Sequence, residues 1–195
     1  MSQRRDALQS LHAVAFRQAG YFSAAQAVAV GFSHQAQKYH VDAGNWLRVE
    51  RGIFRLRDWP ATVDDVLVLW TLWSRRRGVI SHTSALAVHG LGVLDPGVVE
   101  MTVPPGFRAR TPAVRTYVHV LPDADVEQRD GFRVTTPLRT LLDVAGTAHQ
   151  EAVDEVVAEA LERGLVTSRS LRARADEAGD RAALRIERAL QAASA

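Results

Sequence analysis

The stretch from Gly20 to Arg57 constrains the fold more than any other part of this sequence, because it spells out a fixed order of short elements. Ser23 can cap a short helix, and Gly31 permits a tight turn after it, since glycine has no Cβ to clash. Ser33 can cap a second helix that runs to Ala43, and the glycine that follows can end it. The pattern therefore predicts two helices joined by a turn.

Two short runs of alternating apolar and polar residues come next, Trp46 to Val49 and Ile53 to Leu56. They flank the segment Glu50 to Gly52, and a three-residue connection that contains glycine predicts a β-hairpin. One more helix is predicted in front, from Arg4 to Ala19, because one face at helical spacing carries Leu8, Leu11, His12, Ala15 and Ala19. Helices followed by a basic hairpin are typical of a winged helix-turn-helix, which we predict for residues 1–58.

Charge is distributed unevenly along the chain. Residues 1–57 hold 8 Lys and Arg against 3 Asp and Glu, whereas residues 58–195 hold 16 against 19. The net charge of +2 thus conceals a basic first part and an acidic remainder. Binding of a polyanion needs a local positive field. Charge and predicted fold together indicate contact with double-stranded DNA.

The second helix of the pattern is the candidate for reading the major groove. Its predicted inward face comprises Ala36, His40, Val41 and Ala43. Its predicted outward face comprises His34, Gln35, Lys38, Tyr39 and Asp42. Gln35 can bond adenine through two hydrogen bonds, and Lys38 can reach guanine or a phosphate. Ser33, His34 and Tyr39 are further candidate DNA contacts, although half-buried packing explains His34 and Tyr39 equally well.

The hairpin supplies three candidate DNA-binding arginines, Arg48, Arg51 and Arg55. They alternate along the strands or lie at the tip, which suits contact with phosphates or with the minor groove. Trp46 and Phe54 are better explained as the apolar core of the hairpin than as platforms for base stacking.

A boundary is predicted near Asp58-Trp59-Pro60, and residues 62–195 are predicted to form a second domain. A helix after Thr62 should bury an apolar face made of Val63, Val66, Leu67, Trp70 and Trp73. Strands are predicted at Val98 to Val103, Val114 to Leu121 and Phe132 to Thr136, and helices at Pro137 to Ala145, Ala152 to Arg163, from Ser168 onward and Arg181 to Ala193. Ser168 is the predicted cap of its helix, and the apolar face of the last helix should comprise Leu184, Ile186 and Leu190. The predicted fold class is α+β, a winged helix followed by a mixed α/β domain with a small sheet and C-terminal helices.

Composition excludes several classes of site. The sequence has no cysteine, which rules out disulfides, thiolate metal ligands and cysteine nucleophiles. The first residues do not resemble a secretory signal, and the longest apolar stretch, Val66 to Trp73, is too short to span a bilayer. We therefore expect a cytoplasmic protein that needs neither a membrane nor a cofactor.

Ser81, His82 and His89 invite a catalytic interpretation, which we reject. A nucleophilic serine needs a base, an orienting acid and an oxyanion hole, and the sequence spells out no such set. A helix capped by one of the hydroxyls from Ser81 to Ser84, with His82 or His89 bonded to the backbone, explains these residues better. His82, His89 and His119 lack the spacing of metal ligands. The basic triplet Arg75 to Arg77 is explained by a helix C-terminus, with a second DNA or partner contact as the alternative.

Three motifs carry a resemblance to a known family. They are Gly31-Phe32-Ser33 to Gly44 with Leu47 to Arg55, Ile80 to Ala85 with His89-Gly90-Leu91, and Thr135 to Ala145. In these motifs the chain resembles the AbiEi-type antitoxin family. The resemblance implies the antitoxin of a bacterial type IV toxin–antitoxin pair, which binds inverted repeats in its own promoter and represses the operon. It also implies a nucleotidyltransferase-like toxin as the partner.

Three alternatives differ from this antitoxin. The first is a winged-helix regulator without a toxin. The second is a Mg²⁺-dependent nuclease, which is disfavoured because Glu100 lies on a predicted strand but no acid-x-Lys pattern follows it. The third is an adaptor that acts only through the acidic C-terminal part. We predict that the chain is not an enzyme.

Overall fold

The structure is a computed structural model that describes residues 2–92 and 97–194, with side chains from residue 5 onward. The fold is α+β, with small sheets and C-terminal helices, as predicted. Within the described ranges, no helix combines the length and hydropathy that crossing a bilayer requires. The outermost residues of the two predicted domains, Met1 and Ala195, lie outside the described residues.

The chain divides into two compact units. The first comprises Met1–Arg77 with Arg129–Phe132, and the second comprises Gly78–Gln128 with Arg133–Ala195. The first unit thus continues past the boundary predicted near Pro60.

Seven elements make up the first unit. They are α1 Ser2–Phe16, β1 Tyr21–Ser23, α2 Ala24–Ala29, α3 His34–Asp42, β2 Trp46–Glu50, β3 Ile53–Leu56 and α4 Asp65–Trp73.

The predicted caps of α2 and α3 are confirmed. The Gln26 N–H donates to Ser23 Oγ at 3.2 Å while the Ser23 N–H donates to Gln26 Oε1 at 2.8 Å, which makes a capping box. The Ala36 N–H donates to Ser33 Oγ at 3.2 Å. These bonds satisfy amides that a helix leaves without partners at its start.

The turn between α1 and β1 depends on Gly20. This residue has φ +80°, and an added Cβ would collide with the Trp59 side chain. The helix ends at Phe16, earlier than the predicted Ala19, which itself has φ +49°. A left-handed residue is incompatible with a continuing right-handed helix.

The first unit holds a three-stranded antiparallel sheet in the order β1-β3-β2. The predicted hairpin is confirmed, but Glu50 pairs with Ile53, so the connection is the two residues Arg51 and Gly52 rather than three. Strand β1 was not predicted, because Tyr21-Phe22-Ser23 is too short to show alternation.

The core of the first unit is largely aromatic, and its buried residues are Leu11, Ala15, Phe22, Ala27, Phe32, Trp46 and Phe54. The prediction that Trp46 and Phe54 form the hairpin core is confirmed. The rings of Phe22 and Trp46 meet edge to face, with 4.8 Å between centroids, a favoured arrangement. Leu8 and His12, predicted to face inward from α1, are exposed.

Helix α4 buries Leu67, Val68 and Trp70. Val63 and Val66 were predicted on this face, and that prediction is wrong. Val63 precedes the first helical residue and is 94% exposed, and Val66 is also exposed. The helix contacts β1 and β3, which explains why it belongs to the first unit.

Among its described residues, the second unit contains five strands and five α-helices. The strands are β4 Val79–Ile80, β5 Val99–Val103, β6 Val114–Val118, β7 Val126–Gln128 and β8 Arg133–Thr135. The helices are α5 His82–His89, α6 Pro137–Thr147, α7 Gln150–Glu162, α8 Ser168–Arg174 and α9 Asp180–Ala192.

The sheet of the second unit has the order β6-β5-β4-β8-β7. Its central strands β4 and β8 are parallel, as are β5 and β6, while β4–β5 and β7–β8 are antiparallel. Because parallel strands end at the same edge of a sheet, the segments that follow Ile80 and Thr135 start from one edge. Helices α5 and α6 begin there and contact each other.

The helices bury a second apolar cluster, which includes Leu86, Leu141, Val157, Ile186 and Leu190. Two predictions about these helices are wrong. Leu184 was placed on the inward face of the last helix but is 53% exposed. Helix α8 is capped by Thr167 rather than Ser168, since the Ser170 N–H donates to Thr167 Oγ1 at 3.0 Å.

Candidate functional site

Helix α3 is fixed to the first unit by a buried amide. Gln37 is almost fully buried, and its Nε2 donates to the carbonyl oxygens of Ala24 at 3.2 Å and Phe32 at 3.1 Å. These bonds tie α3 to α2 and to the turn between them. The sequence prediction missed Gln37, because an exposed polar residue is the usual expectation for glutamine.

The predicted outward face of α3 is exposed, and its members are His34, Gln35, Lys38, Tyr39 and Asp42. Lys38 Nζ lies 2.5 Å from Asp42 Oδ2, with 75% of the Lys38 side chain accessible. An exposed pair at this spacing contributes only about 0.3–0.5 kcal/mol. Lys38 can therefore leave Asp42 for another partner at little cost in free energy.

The inward face of α3 is only partly as predicted. His40 stacks on Trp46 with 4.6 Å between ring centroids and an interplanar angle of 13°. Ala36, His40 and Val41 are half-buried, whereas Ala43 is exposed and its predicted inward position is wrong. Ala43 is the C-cap of α3, where the helix has already turned away from the core.

The hairpin tip presents two exposed arginines. Gly52 has φ +71° at the turn, and the Arg51 N–H donates to Glu50 Oε1 at 2.8 Å. A register irregularity lies between Arg48 and Glu50, and the Arg48 guanidinium lies 5.3 Å from the Phe54 ring centroid. The side chains of Arg48, on β2, and of Arg51, at the turn, are both exposed.

Arg55 differs from these two arginines. Its Nη2 donates to Asp65 Oδ2 at 2.5 Å and to the Pro60 carbonyl at 3.1 Å. Its guanidinium also lies 5.2 Å from the Tyr21 ring centroid, and only 14% of its side chain is accessible. The structure thus uses Arg55 to join β3 to α4, and a DNA phosphate would have to displace a buried carboxylate.

In the second unit, Glu100 is a buried carboxylate at the start of α5. Its Oε2 accepts from the Thr83 N–H at 2.9 Å and the Thr83 hydroxyl at 2.5 Å. Its Oε1 accepts from the Tyr117 hydroxyl at 2.9 Å and Arg115 at 3.0 Å. Burial by itself raises the pKa of Glu100, but the hydrogen bonds from Thr83 and Tyr117 outweigh burial and hold the pKa below its usual value.

Glu100 therefore caps α5 from a neighbouring strand. A negative charge is favoured at a helix N-terminus. The hydroxyl side-chain cap predicted from Ser81 to Ser84 is wrong, since Ser81 occupies the N-cap position without making a side-chain cap bond.

Ser81 and His82 form a buried hydrogen-bonded pair. Ser81 Oγ lies 2.9 Å from His82 Nδ1 and accepts from the Thr102 hydroxyl at 2.9 Å. The His82 ring stacks on Tyr117, with 3.5 Å between centroids and 12° between planes. Ser81 has no exposed surface, so its hydroxyl is not accessible to a substrate.

His82 is held in an unusual state. Its φ of +54° lies in the left-handed region, which costs a residue other than glycine on the order of 1–3 kcal/mol. Burial lowers the pKa of His82, while Asp143 and Glu100 oppose that shift only in part. The imidazole is therefore neutral at pH 7.

The motif from Thr135 to Ala145 also forms internal contacts. Thr136 caps α6, because the Arg139 N–H donates to its hydroxyl at 3.3 Å. Arg139 Nε donates to Asp143 Oδ1 at 2.9 Å. Nearby, Arg174 donates to both carboxylate oxygens of the buried Asp125, at 2.5 Å and 2.9 Å, and these bonds hold the pKa of Asp125 below its usual value.

The three histidines weighed as metal ligands have separate surroundings. His89 Nε2 lies 2.7 Å from the Thr135 carbonyl oxygen, which agrees with the predicted backbone bond. His82 bonds to a serine side chain instead, and His119 is exposed just after β6. Among the residues that the structure describes, no three His, Asp or Glu side chains cluster as metal ligands would.

One comparison finds a matching family and another finds a similar fold. Residues 78–192 match the family described as the AbiEi antitoxin C-terminal domain. The fold is similar to the crystal structure of the RV2827C protein from Mycobacterium tuberculosis, with a TM-score of 0.64 and 15% identity over 94% of this chain and 75% of that one. No curated protein matches the sequence.

The family match covers more than half of the chain and nearly all of the second unit. The buried network around Glu100 and the α6 motif both lie within the matched residues. The chain therefore belongs to the family of the AbiEi antitoxin C-terminal domain.

Proposed function

We propose that this chain is the antitoxin of a type IV toxin–antitoxin pair, which binds operator DNA, represses its own operon and counteracts a nucleotidyltransferase-like toxin. The observation that carries this proposal is the family match over residues 78–192. Antitoxin function follows from the family, whereas DNA binding is argued from the first unit.

The element order of the first unit supports a winged helix. Three helices, α1 to α3, precede the β2–β3 hairpin, and β1 adds a third strand beside β3. A winged helix-turn-helix reads the major groove with its second motif helix, which here is α3. The basic surplus of residues 1–57 favours DNA at this surface.

The exposed side chains divide into two roles. Gln35 and Lys38 lie on the accessible face of α3 and are proposed to read base edges, with Ser33, His34 and Tyr39 beside them. Arg48 and Arg51 are proposed to contact phosphates from the hairpin. Arg55 is proposed to orient the hairpin through Asp65 rather than to touch DNA.

The second unit is proposed to neutralise the toxin without catalysis. Glu100, the acid that a nuclease would need on a strand, already accepts bonds at both oxygens. Ser81 is buried. Residues 58–195 carry a net charge of −3, and complementary potentials speed the encounter of partners.

One pair of assays tests the proposal. The full chain is mixed with DNA from its own promoter in a band-shift assay, and it is co-expressed in cells with the product of the adjacent reading frame. We expect a salt-sensitive shift and rescue of growth. A shift without rescue would favour a stand-alone regulator, and cleavage of plasmid with Mg²⁺ would favour a nuclease.

A further inference from the structure

Strand β6 lies at one edge of the five-stranded sheet, with β5 as its neighbour. The Val99 N–H donates to the Ala113 carbonyl at 3.1 Å, and the His119 N–H donates to the Val103 carbonyl at 3.0 Å. In a parallel ladder, alternate residues direct both backbone groups to the neighbouring strand. This register directs the backbone N–H and C=O groups of Thr116 and Val118 away from β5.

The outer side of β6 is open to solvent and apolar. Val118 is 62% exposed, and Val120, just after the strand, is 67% exposed. The opposite edge strand, β7, has only three residues, one of which is Glu127. Proteins protect sheet edges with short strands, charged side chains and proline. Strand β6 has five residues without an acid or a proline, and its one charged residue, Arg115, is paired with Glu100 of the neighbouring β5.

The segment around β6 is basic, although the unit that contains it is acidic. Residues 104–121 contain no Asp or Glu, and their arginines are Arg108, Arg110 and Arg115. Arg115 is paired with Glu100 of β5, whereas Arg108 and Arg110 are exposed. A cavity of about 530 Å³ lies at the start of β6, and its lining includes Arg110, Pro112 and Arg115. The edge therefore combines exposed valines, the positive charge of Arg108 and Arg110, and backbone groups that have no partner among the described residues.

We infer that the β6 edge binds an extended acidic segment of a protein partner by adding it to the sheet as a sixth strand. Main-chain hydrogen bonds to Thr116 and Val118 supply affinity in this mode of recognition, and side-chain contacts supply specificity. An acidic residue near one end of the segment would meet Arg110 at the cavity. A second copy of this chain fits less well, because its own arginines would face those of the first.

This inference goes beyond the proposed function, because it names a surface and a partner chemistry that hold whether or not the partner is a toxin. It also refines the charge argument, since the net charge of the second unit conceals a basic edge. The test therefore uses a defined probe and not a toxin.

The probe is a blocked, fluorescent eight-residue peptide that alternates Glu with Val, and binding to the full-length protein is followed by fluorescence anisotropy. A peptide that alternates Lys with Val is the charge control. We expect saturable binding of the Glu peptide at least tenfold tighter than that of the Lys peptide. Equal binding of the two, or no binding of the Glu peptide, would overturn the inference.

Two backbone-directed variants test strand addition. Thr116→Pro removes an N–H that faces away from β5, and proline is tolerated at such edge positions. Thr116→Ala keeps that N–H and is the matched control. We expect Thr116→Pro to weaken binding of the Glu peptide at least tenfold and Thr116→Ala to change it less than twofold.

Val118→Asp leaves the backbone unchanged and places a negative charge where it would repel the Glu peptide. It tests the inference even if the proline variant does not fold. We expect at least a tenfold loss with this variant. Arg110→Glu should cause a similar loss, whereas Arg169→Glu, an exposed charge reversal on α8, should not. Tight binding by Val118→Asp and Arg110→Glu would place the peptide elsewhere on the protein.

Discussion

The two units use polar residues in opposite ways. In the first, the candidate functional side chains of α3 and the hairpin tip are exposed, and Lys38 forms a weak ion pair with Asp42. In the second, the motif residues Ser81 and His82 are buried and bonded to each other, and the buried Glu100 is bonded to Thr83 of the same motif. A sequence motif can thus mark either an exposed contact surface or a set of buried side chains that hold the fold together. The burial of its residues tells which of the two it is.

The largest effect should come from removing Glu100. Glu100→Ala leaves the Thr83 N–H and the Tyr117 hydroxyl without their acceptor and creates a space inside the unit. We expect the free energy of unfolding to fall by about 1–3 kcal/mol for each buried donor that loses its acceptor. Urea unfolding of the full chain measures it.

Glu155→Ala is the control, because Glu155 is exposed on α7 and should change stability by less than about 0.5 kcal/mol. Equal stability of the two variants would mean that the hydrogen bonds of Glu100 do not stabilise the second unit. The proposed difference between the two units would then be wrong.

The reading face of α3 should give the next largest effect. Gln35→Ala with Lys38→Ala removes two proposed base contacts, each worth on the order of 1–3 kcal/mol of discrimination, while stability stays nearly constant because both side chains are exposed. Band shifts with operator and scrambled DNA measure the difference. If the double variant still prefers the operator as strongly as the wild type does, α3 is not the reading helix.

Acidification should act on the second unit through His82. Burial lowers the pKa of this imidazole in the folded state, so between that value and about 6.5 the unfolded chain binds a proton that the folded chain does not. Stability is therefore fully present above about pH 7.5 and falls as the pH drops through 6.5, by at most about 1.4 kcal/mol per pH unit from this one group.

His82→Asn should flatten the profile from pH 7.5 to 5.5, because asparagine tolerates the left-handed backbone and does not titrate. Urea unfolding at several pH values makes the comparison. An unchanged slope in the variant would show that His82 is not the titrating group.

The smallest effect is expected at the hairpin tip. Arg51→Ala should flatten the plot of log K against log salt by about 0.9, the change expected for one lost phosphate contact. Arg55→Ala should instead lower stability, because it leaves Asp65 buried without its partner. If Arg51→Ala leaves both the slope and the affinity unchanged, the tip does not touch DNA.

The local signals in the sequence predicted much of the fold. Ser23 and Ser33 cap their helices, and the hairpin and α6 form where the pattern placed them, because caps and alternation act over a few residues. Predictions failed where distant packing decides. Val63 is exposed because the helix starts after it. Leu184 is exposed because α9 buries the face that carries Ile186 and Leu190 instead.

The candidate site shows the same division. The exposed face of α3 was predictable from helical spacing, whereas the burial of Gln37 depends on carbonyl groups of another helix and a turn. Glu100 lies 17 positions from Thr83 and Tyr117, so no local pattern could reveal that a strand residue caps α5. Arg55 was predicted to contact DNA from its place on the hairpin, and no local pattern indicates its ion pair with Asp65, ten positions along the chain.

Lys38 is the sole lysine in the sequence, and three quarters of its side chain is accessible. Amine-reactive reagents will therefore find one side-chain target, located on the helix proposed to enter the major groove. A fluorophore or crosslinker attached there needs no engineered cysteine, and the absence of native cysteines leaves thiol chemistry free for a second label placed anywhere else. The protein is thus ready for distance measurements between α3 and any chosen surface of the second unit.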